Sequence, residues 1–588
     1  MLINNRISVE SNSAPANFDP YKTVKEKMTE IIKQEMEKPN AVGLSIALVD
    51  DQKIVWAQGF GYQDKEKKIP ATENTIYQVG SITKLFTVLA AMKLAEQGKL
   101  DIDQPLQKYL PNFTIKSRFV SNQPITARTI MTHHSGIPSD HLNGYMSKPY
   151  SSLVKDLQNE YVAFPPNYIH SYSNAAFTLL GHTVATVSKK DYPDYIQDEL
   201  LRSIGMQHSF IANFPSVENP LMSKIYLNGK EDKPISERDI PAGGLYANVE
   251  DMARFMQMII AGGSINGQRI INSETLAETI RPQNENIPLD LDFRIGLGWF
   301  LSEVVSGYNG KVVEHAGIYN HFNSELIILP EAKLGVVVLG NYEELVGQVR
   351  QIAKKTLELV WEEKSKRKIP IYKDSITAPP NIPSSSDLHN YVGYYSIMGE
   401  IGQIVHENDR FFLKTKDDNA FYLDKNDDGG YSIKNGPNFF FHTIDGWDLI
   451  IMQSFVRILF ATKITPLPLS VGSDSLCGGY KIIVNHRDLP SDMDDNIIVK
   501  IKNGFLTMAY KDYEHPDYNR PKVLRAVSNT EWVIDGLGRD IGNTIIFKMI
   551  NGEQHLVYSG LQYKKIEDFR SAELDTNKFS RKQSSNYM

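Results

Sequence analysis

Gln78-Val79-Gly80-Ser81-Ile82-Thr83-Lys84-Leu85-Phe86 is the stretch on which the reading of the chain turns. An extended apolar run, Thr75 to Val79, leads into it, and Gly80 permits a tight turn. Leu85 to Leu94 then reads as a buried helix. Residues i and i+3 share a helix face, so Ser81 and Lys84 put a hydroxyl beside an amine. A lysine buried in a dry site can give up or share its proton. It could then draw the proton from Ser81 and leave a nucleophile. The bland reading of Ser81 is a helix N-cap. Ser152/Lys155 and Ser365/Lys368 have the same spacing, but they lack the apolar context and read as coincidence.

The rest of the chain sets the frame. A length of 588 residues predicts two to four domains. A net charge of -7 gives no global basic field, so nucleic acid is not an expected partner. The lone cysteine, Cys477, excludes an intrachain disulfide and a multi-thiolate metal site. No run of 18 apolar residues predicts a membrane span. Residues 1–20 carry no signal-peptide pattern. The chain as written reads as cytoplasmic, or as secreted or periplasmic if a signal has been removed.

The chain divides in order. Residues 1–20 are expected to be disordered, and so are 569–588. Residues 21–363 read as an α/β (α+β) domain, an antiparallel sheet flanked by helices with a helical insertion. Its predicted helices are Tyr21–Lys38, Ser81–Gln97, Thr126–His134, Asn174–Ser188, Tyr192–Ile204, Val249–Ala261 and Glu343–Glu363. Its predicted strands are Ala41–Val49, Lys53–Tyr62, Gly296–Val304, Lys311–His315, Ser324–Leu329 and Leu334–Leu339. A charged, then Pro/Ser-rich linker covers 364–386. Beyond it the period switches to two. Residues 387–470 and 471–568 read as two faintly similar antiparallel barrel-like units. One opens at Tyr391-Val392-Gly393-Tyr394 and the other at Gly478-Gly479-Tyr480, though one larger barrel also fits. The tail after Asp387 is expected to be separable from the chemistry.

Two further constellations fall in the first domain. Tyr172 and Asn174 lie two residues apart, where a phenol can relay a proton and an amide can hold a lysine. Taken alone, they read as a half-buried tyrosine beside a helix cap. In Val313-Glu314-His315-Ala316-Gly317-Ile318, a predicted strand, Gly317 permits close backbone approach. The Ile318 N–H could face an oxyanion there. Taken alone, His315 is a satisfied strand histidine.

Three such motifs in this order resemble the serine β-lactamase and penicillin-binding-protein superfamily. The closest likeness is to its branch of class C β-lactamases, D-aminopeptidases, D-Ala-D-Ala carboxypeptidases and related esterases. That branch has Ser-x-x-Lys, Tyr-x-Asn and Lys/His-x-Gly, matched here by Ser81/Lys84, Tyr172/Asn174 and His315/Gly317. Met131 to Ile137, Tyr172 to Gly181 and Pro241 to Leu245 are similar too, and the likeness spans about residues 22–362. The resemblance implies a serine acyl hydrolase with Ser81 as nucleophile, and Lys84 and Tyr172 moving protons. It implies Asn174, His315, Gly317 and Ile318 on the substrate. It also implies D-residue peptides or small esters as substrates, β-lactams as candidate inhibitors, and no cofactor or metal. Homo-oligomerisation stays open. The rival reading is a weak β-lactamase, or a non-catalytic penicillin-recognising protein whose barrels bind a ligand.

His315 stands where β-lactamases of the branch carry lysine, and a neutral imidazole there predicts a preference for neutral esters and amides. Glu314 points to the other face of the strand and should not pair with it. Asp424-x-Asn426-x-Asp428-Gly429 mimics a calcium loop, but Asn435 stands where the closing glutamate belongs, and a hairpin turn fits better. His133, His134, His141 and His170 do not have zinc-site spacing.

Overall fold

The computed structural model describes residues 19–367 and 387–566, except 122, 214–218, 303–304, 416–418, 428, 435, 454–455, 467–472, 484–495 and 511–520. The expected disordered ends and the Pro/Ser linker fall almost wholly outside these residues, as do Lys368 and Asp428.

The first domain is built on an eight-stranded antiparallel sheet. Its long strands are Val312–Tyr319, Phe322–Leu329 and Leu334–Gly340, followed in the sheet by the hairpin Gly43–Asp50/Lys53–Asp64. Alternation sorts strand Gly43–Asp50, which is paired on both sides. Leu44, Ile46 and Leu48 pack under the terminal helices Lys22–Met36 and Gln348–Ser365, with Met28, Ile32, Ile352 and Leu357. Ala47 and Val49 face the opposite side, toward the helices Thr83–Glu96 and Val249–Ile260. Both faces are therefore buried. The strand expected over Lys311–His315 runs on to Tyr319. Asn320 and His321 both adopt positive φ and close a two-residue hairpin, so residues 316–319 pair with 322–325.

Helices form where apolar periodicity and caps coincide. Ser173 caps Asn174–Ser188 by accepting from the Ala176 N–H, and Asn248 caps Val249–Ile260 by accepting from Asp251. The helix expected over Thr126–His134 is only Ala127–Met131, started by a Thr126/Thr129 capping box. Tyr192–Ile204 contains a π-helical stretch, Gln197–Leu201. Among the described residues no helix is long and apolar enough to cross a membrane.

The tail is all β. Residues 393–464 form a nine-stranded sheet and residues 478–566 a closed eight-stranded barrel. The two outermost strands of the former, Ala420–Tyr422 and Asp424–Lys425, are joined directly through Leu423, so the sheet curls round onto its own chain. Asp424–Lys425 pairs with Tyr431–Ser432, which makes the calcium-loop mimic a hairpin.

The barrel packs directly against the first domain. Its core residues Tyr480, Val499, Leu537, Ile541 and Phe547 share one apolar cluster with Leu142, Ala163, Phe164, Ile169 and Leu289 of the first domain. A Pro/Ser linker and a change of period mark a change of architecture, and neither reports on how the two architectures pack.

Candidate active site

Ser81 sits on a tight strand-to-helix turn. The chain leaves strand Tyr77–Gln78, passes through Gly80 at φ 52°, makes one 3-10 turn over Gly80–Ile82 and enters the helix Thr83–Glu96. A Cβ on Gly80 would lie 2.9 Å from the backbone nitrogen of Ile318, which is why a glycine stands there. The Ser81 hydroxyl caps nothing. The helix has no side-chain cap, and Ser81 Oγ instead accepts from Lys84 Nζ at 3.0 Å.

Lys84 is fully buried one turn into the helix. Its Nζ also donates to Asn174 Oδ1 at 2.8 Å and to the carbonyl of Ala242 at 2.9 Å. Asn174 is held in turn, its Nδ2 donating to Asp140 Oδ1 at 2.9 Å. Tyr172 is half-buried, with its ring centroid 4.8 Å from Lys84 Nζ. The imidazole of His133 stacks on Tyr172 at 4.1 Å, and its Nδ1 accepts from the Ser173 N–H. A phenol ring, an amine and a hydroxyl thus lie close together beside aromatic rings, an arrangement suited to proton relay.

The third constellation closes the site from the sheet. Strand Phe300–Ser302 covers only Val312–Glu314, so residues 315–319 form an edge on that side. Gly317 does permit close approach, and the backbone that approaches belongs to the protein. A Cβ there would lie 2.0 Å from the Val79 carbonyl and 3.1 Å from the Ser81 nitrogen. The backbones at Ser81 and Ile318 are thereby brought close together. Two adjacent N–H groups beside a nucleophile can hold a developing oxyanion.

His315 is buried against Phe300, and its Nδ1 donates to the carbonyl of Ala316 at 2.6 Å. Burial, with the charge of Lys84 acting in the same direction, pushes its pKa down to about 3, so the ring is neutral. Glu314 projects from the other face and pairs with Arg350. His170 is likewise pushed down to about 3 by burial, and His133 lies well below the ordinary imidazole value for the same first reason. His134 bonds to Asp290. These histidines belong to the aromatic and carboxylate packing behind Tyr172.

Four contributors were not legible in the chain. Ala242 lies in the family-like segment Pro241 to Leu245, but its carbonyl was not singled out, and Asp140 lies outside every segment that was. Glu237 is buried beside the Ser81 turn and accepts from Gln78 Nε2 at 2.8 Å. Its burial, with Asp239 nearby, pushes the carboxyl up to about 8. Arg539, from the last barrel, lies with its guanidinium carbon 5.0 Å from the centroid of the Tyr172 ring.

A helical layer and an antiparallel sheet meeting at Ser-x-x-Lys, Tyr-x-Asn and His-x-Gly define the serine β-lactamase and penicillin-binding-protein superfamily. Residues 28–359, more than half of the chain, match the family described as Beta-lactamase, and the chain belongs to that family. Protein flp of Staphylococcus aureus (strain MW2) is 26% identical over 324 residues, or 53% of this chain and 62% of that protein. The chain therefore spans about six tenths of the length of this curated relative. A beta-lactamase of Providencia stuartii is 26% identical over 57% of this chain and 91% of that protein. Two solved structures share the fold. The octameric penicillin-binding protein homologue from Pyrococcus abyssi covers 92% of this chain and all of its own (TM-score 0.50, 20% identity). A class C beta-lactamase mutant covers 58% of this chain and 99% of its own (TM-score 0.51, 22% identity).

Proposed function

We propose that the chain is a serine acyl hydrolase that works through an acyl-enzyme on Ser81. The observation that carries this reading is the buried Lys84 amine, 3.0 Å from Ser81 Oγ and fixed by Asn174 and Ala242. Ser81 Oγ bonds to the substrate carbonyl carbon while its proton passes to Lys84, directly or through Tyr172. The N–H groups of Ser81 and Ile318 take the negative charge of the tetrahedral oxygen. The bond to the leaving group breaks as Tyr172 and Lys84 return the proton to it. Water then attacks the acyl carbon while its proton passes through Tyr172 to Lys84, the bond to Ser81 Oγ breaks, and the proton returns to Oγ to free the serine. D-residue peptides and small esters are the proposed substrates, and β-lactams are proposed acylating inhibitors.

Ser81→Ala tests the reading in the full-length chain. A fluorophosphonate probe should add its mass to the Ser81 peptide of the wild type alone. Turnover of a small ester should fall by more than about a thousandfold in the variant. Label on Ser152 or Ser365, or undiminished turnover, would overturn the assignment.

A further inference from the structure

The last barrel delivers a loop to the candidate site. Residues 535–543 connect strand Glu531–Ile534 to strand Thr544–Ile550 and reach across to the first domain. The loop is held at both feet. Asp535 Oδ1 accepts from Arg525 Nε at 2.8 Å, and the Asp535 carbonyl accepts from Ser396 Oγ at 2.7 Å. The Gly542 N–H donates to the Ile534 carbonyl at 2.8 Å. Leu537 and Ile541 are buried in the cluster shared with Leu142 and Phe164.

Two contacts then fix the tip on either side of the Tyr172 segment. The Asp540 N–H donates to Ser139 Oγ at 3.2 Å, and Ser171 Oγ donates to the Gly538 carbonyl at 3.4 Å. Between them lies Arg539, with a side chain 38% exposed and its Nε 3.7 Å from Asp540 Oδ2. Its charge is near enough to His170 to help hold that imidazole neutral.

This placement changes the electrostatics of the pocket. The expected preference for neutral substrates rested on a neutral His315 standing where the motif would otherwise supply a cation, and His315 is neutral. A permanent cation is nonetheless present, and it comes from another part of the chain. In the proposed mechanism Tyr172 protonates the leaving group, so a side chain over the Tyr172 ring faces the leaving-group side of the scissile bond. A planar guanidinium there matches a carboxylate with two parallel N–H donors.

From this geometry we infer that Arg539 binds a carboxylate on the leaving group. The substrate class is then acyl compounds that release a carboxylate-bearing fragment, as a peptide does when its C-terminal residue is cut off. The inference rests on the reading of Ser81 as nucleophile, and it adds to that reading which part of the substrate is recognised and by which residue. A peptide that enters by its amino end presents no such group to Arg539.

Two esters with the same acyl group test it, the phenyl and the 3-carboxyphenyl esters of N-acetylglycine, with full-length wild type, Arg539→Ala and Arg539→Lys. The quantity read is the ratio of kcat/KM for the anionic to the neutral ester. It should fall by about ten- to a hundredfold in Arg539→Ala, mainly through KM. Arg539→Lys, which keeps the charge but not the fork, should fall in between. A ratio unchanged within about threefold in both variants, or a wild type that favours the neutral ester, overturns the assignment. A variant that has lost its fold loses both rates together, and Arg539→Lys then carries the decision. Failure of the underlying reading shows elsewhere, as neutral-ester turnover that survives Ser81→Ala.

Discussion

The two β units of the tail have the same topology and different positions. In each, the first strand pairs with the second and with the last: Gly393–Ile397 in one, Gly478–Ile482 in the other. Both first strands carry a tyrosine whose hydroxyl donates to the carbonyl four residues back, Tyr395 to Tyr391 and Tyr480 to Leu476. The difference lies in the connection that leads into the long strand third from the end, Asn438–Ile444 in one unit and Thr544–Ile550 in the other. In the first unit the connection is short, with the Ile433 N–H donating to the Pro437 carbonyl and the Gly436 N–H to the Ile433 carbonyl. In the second, residues 535–543 form the long loop that seats Arg539 beside Tyr172. The first unit meets the first domain through polar contacts, such as Arg457 on Asp292 and Trp447 on the Tyr168 hydroxyl, and adds only Phe440, Leu449 and Ile451 to the buried apolar cluster they share. The second merges its core with that domain. A repeated scaffold can be inert in one copy and part of a site in the other, and one connection decides which.

The largest effect should come from removing the second copy. A chain ending at Pro466 would return part of Leu142, Phe164, Ile169 and Leu289 to water. Each fully buried side chain of this kind is worth about 1.5–3 kcal/mol, so together they approach the whole stability of a domain, about 5–15 kcal/mol. The truncated chain should aggregate or melt without a cooperative transition. A soluble product with full-length near-UV circular dichroism and ester turnover would make the barrel an appendage and remove the contrast between the copies.

A smaller and more local perturbation is Gly542→Ala against Gly552→Ala. The two glycines have nearly equal positive φ, 76° and 82°, so either alanine adds similar backbone strain. A Cβ at 542 would stand 2.6 Å from the carbonyl of Ala163 in the first domain, whereas one at 552 meets nothing within 4 Å. Gly542→Ala should cost about 1–3 kcal/mol more in a denaturant midpoint experiment. It should also shift the anionic-to-neutral ester ratio in the same direction as Arg539→Ala. Equal losses from both substitutions would mean that the loop tolerates displacement and that its seating is incidental.

The same contrast explains what could be read in the chain. Ser81 and Lys84 are three residues apart on one helix, so their meeting is a local consequence of helical geometry. Tyr172 and Asn174 flank a serine cap whose pattern is visible in sequence. The ends of strand Val312–Tyr319 were misjudged because its hairpin uses Asn320 and His321, a pair with weaker turn signature than Asn-Gly. Arg539 gave no signal. It stands in a loop between short strands, and its relation to Tyr172 exists only after a barrel hundreds of residues away has docked. The likeness of the two barrels was visible as a faint repeat, but the feature that separates them is the path of one loop, on which neither period nor composition reports.

The smallest expected effect concerns pH, and it distinguishes the two seams by sign. Between the second barrel and the first domain, His141 Nε2 lies 3.6 Å from Glu160 Oε1, and the Gly560 N–H donates to Glu160. Burial pushes Glu160 up to about 7, against Gly560 and Lys116, which act the other way. Burial also pushes His141 down to about 4, with Arg238 and Lys148 adding to it and Asp156 and Asp239 opposing. A carboxyl raised in the folded state binds its proton more tightly there, so Glu160 withdraws stability as pH rises from about 4.5 to 7. A histidine lowered in the folded state does the reverse, adding stability as pH rises from about 4 to 6.5. The two slopes oppose each other over the shared range, and the wild type should be nearly flat there. Glu160→Gln should unmask a rise in stability of about 1–3 kcal/mol across that range, and His141→Asn a fall of similar size. At the other seam, burial would raise Asp292, but Arg457 outweighs it and holds the carboxyl below its ordinary value. That ion pair is intact above the ordinary carboxylate range and is lost as pH drops through the lowered value, so the first barrel's seam loosens only in acid. Urea midpoints from pH 4 to 7.5 for wild type, both single variants and the double variant read the slopes directly. Parallel curves for Glu160→Gln and His141→Asn would show that neither group is neutral in the folded protein, and the difference in sign between the seams would fall with it.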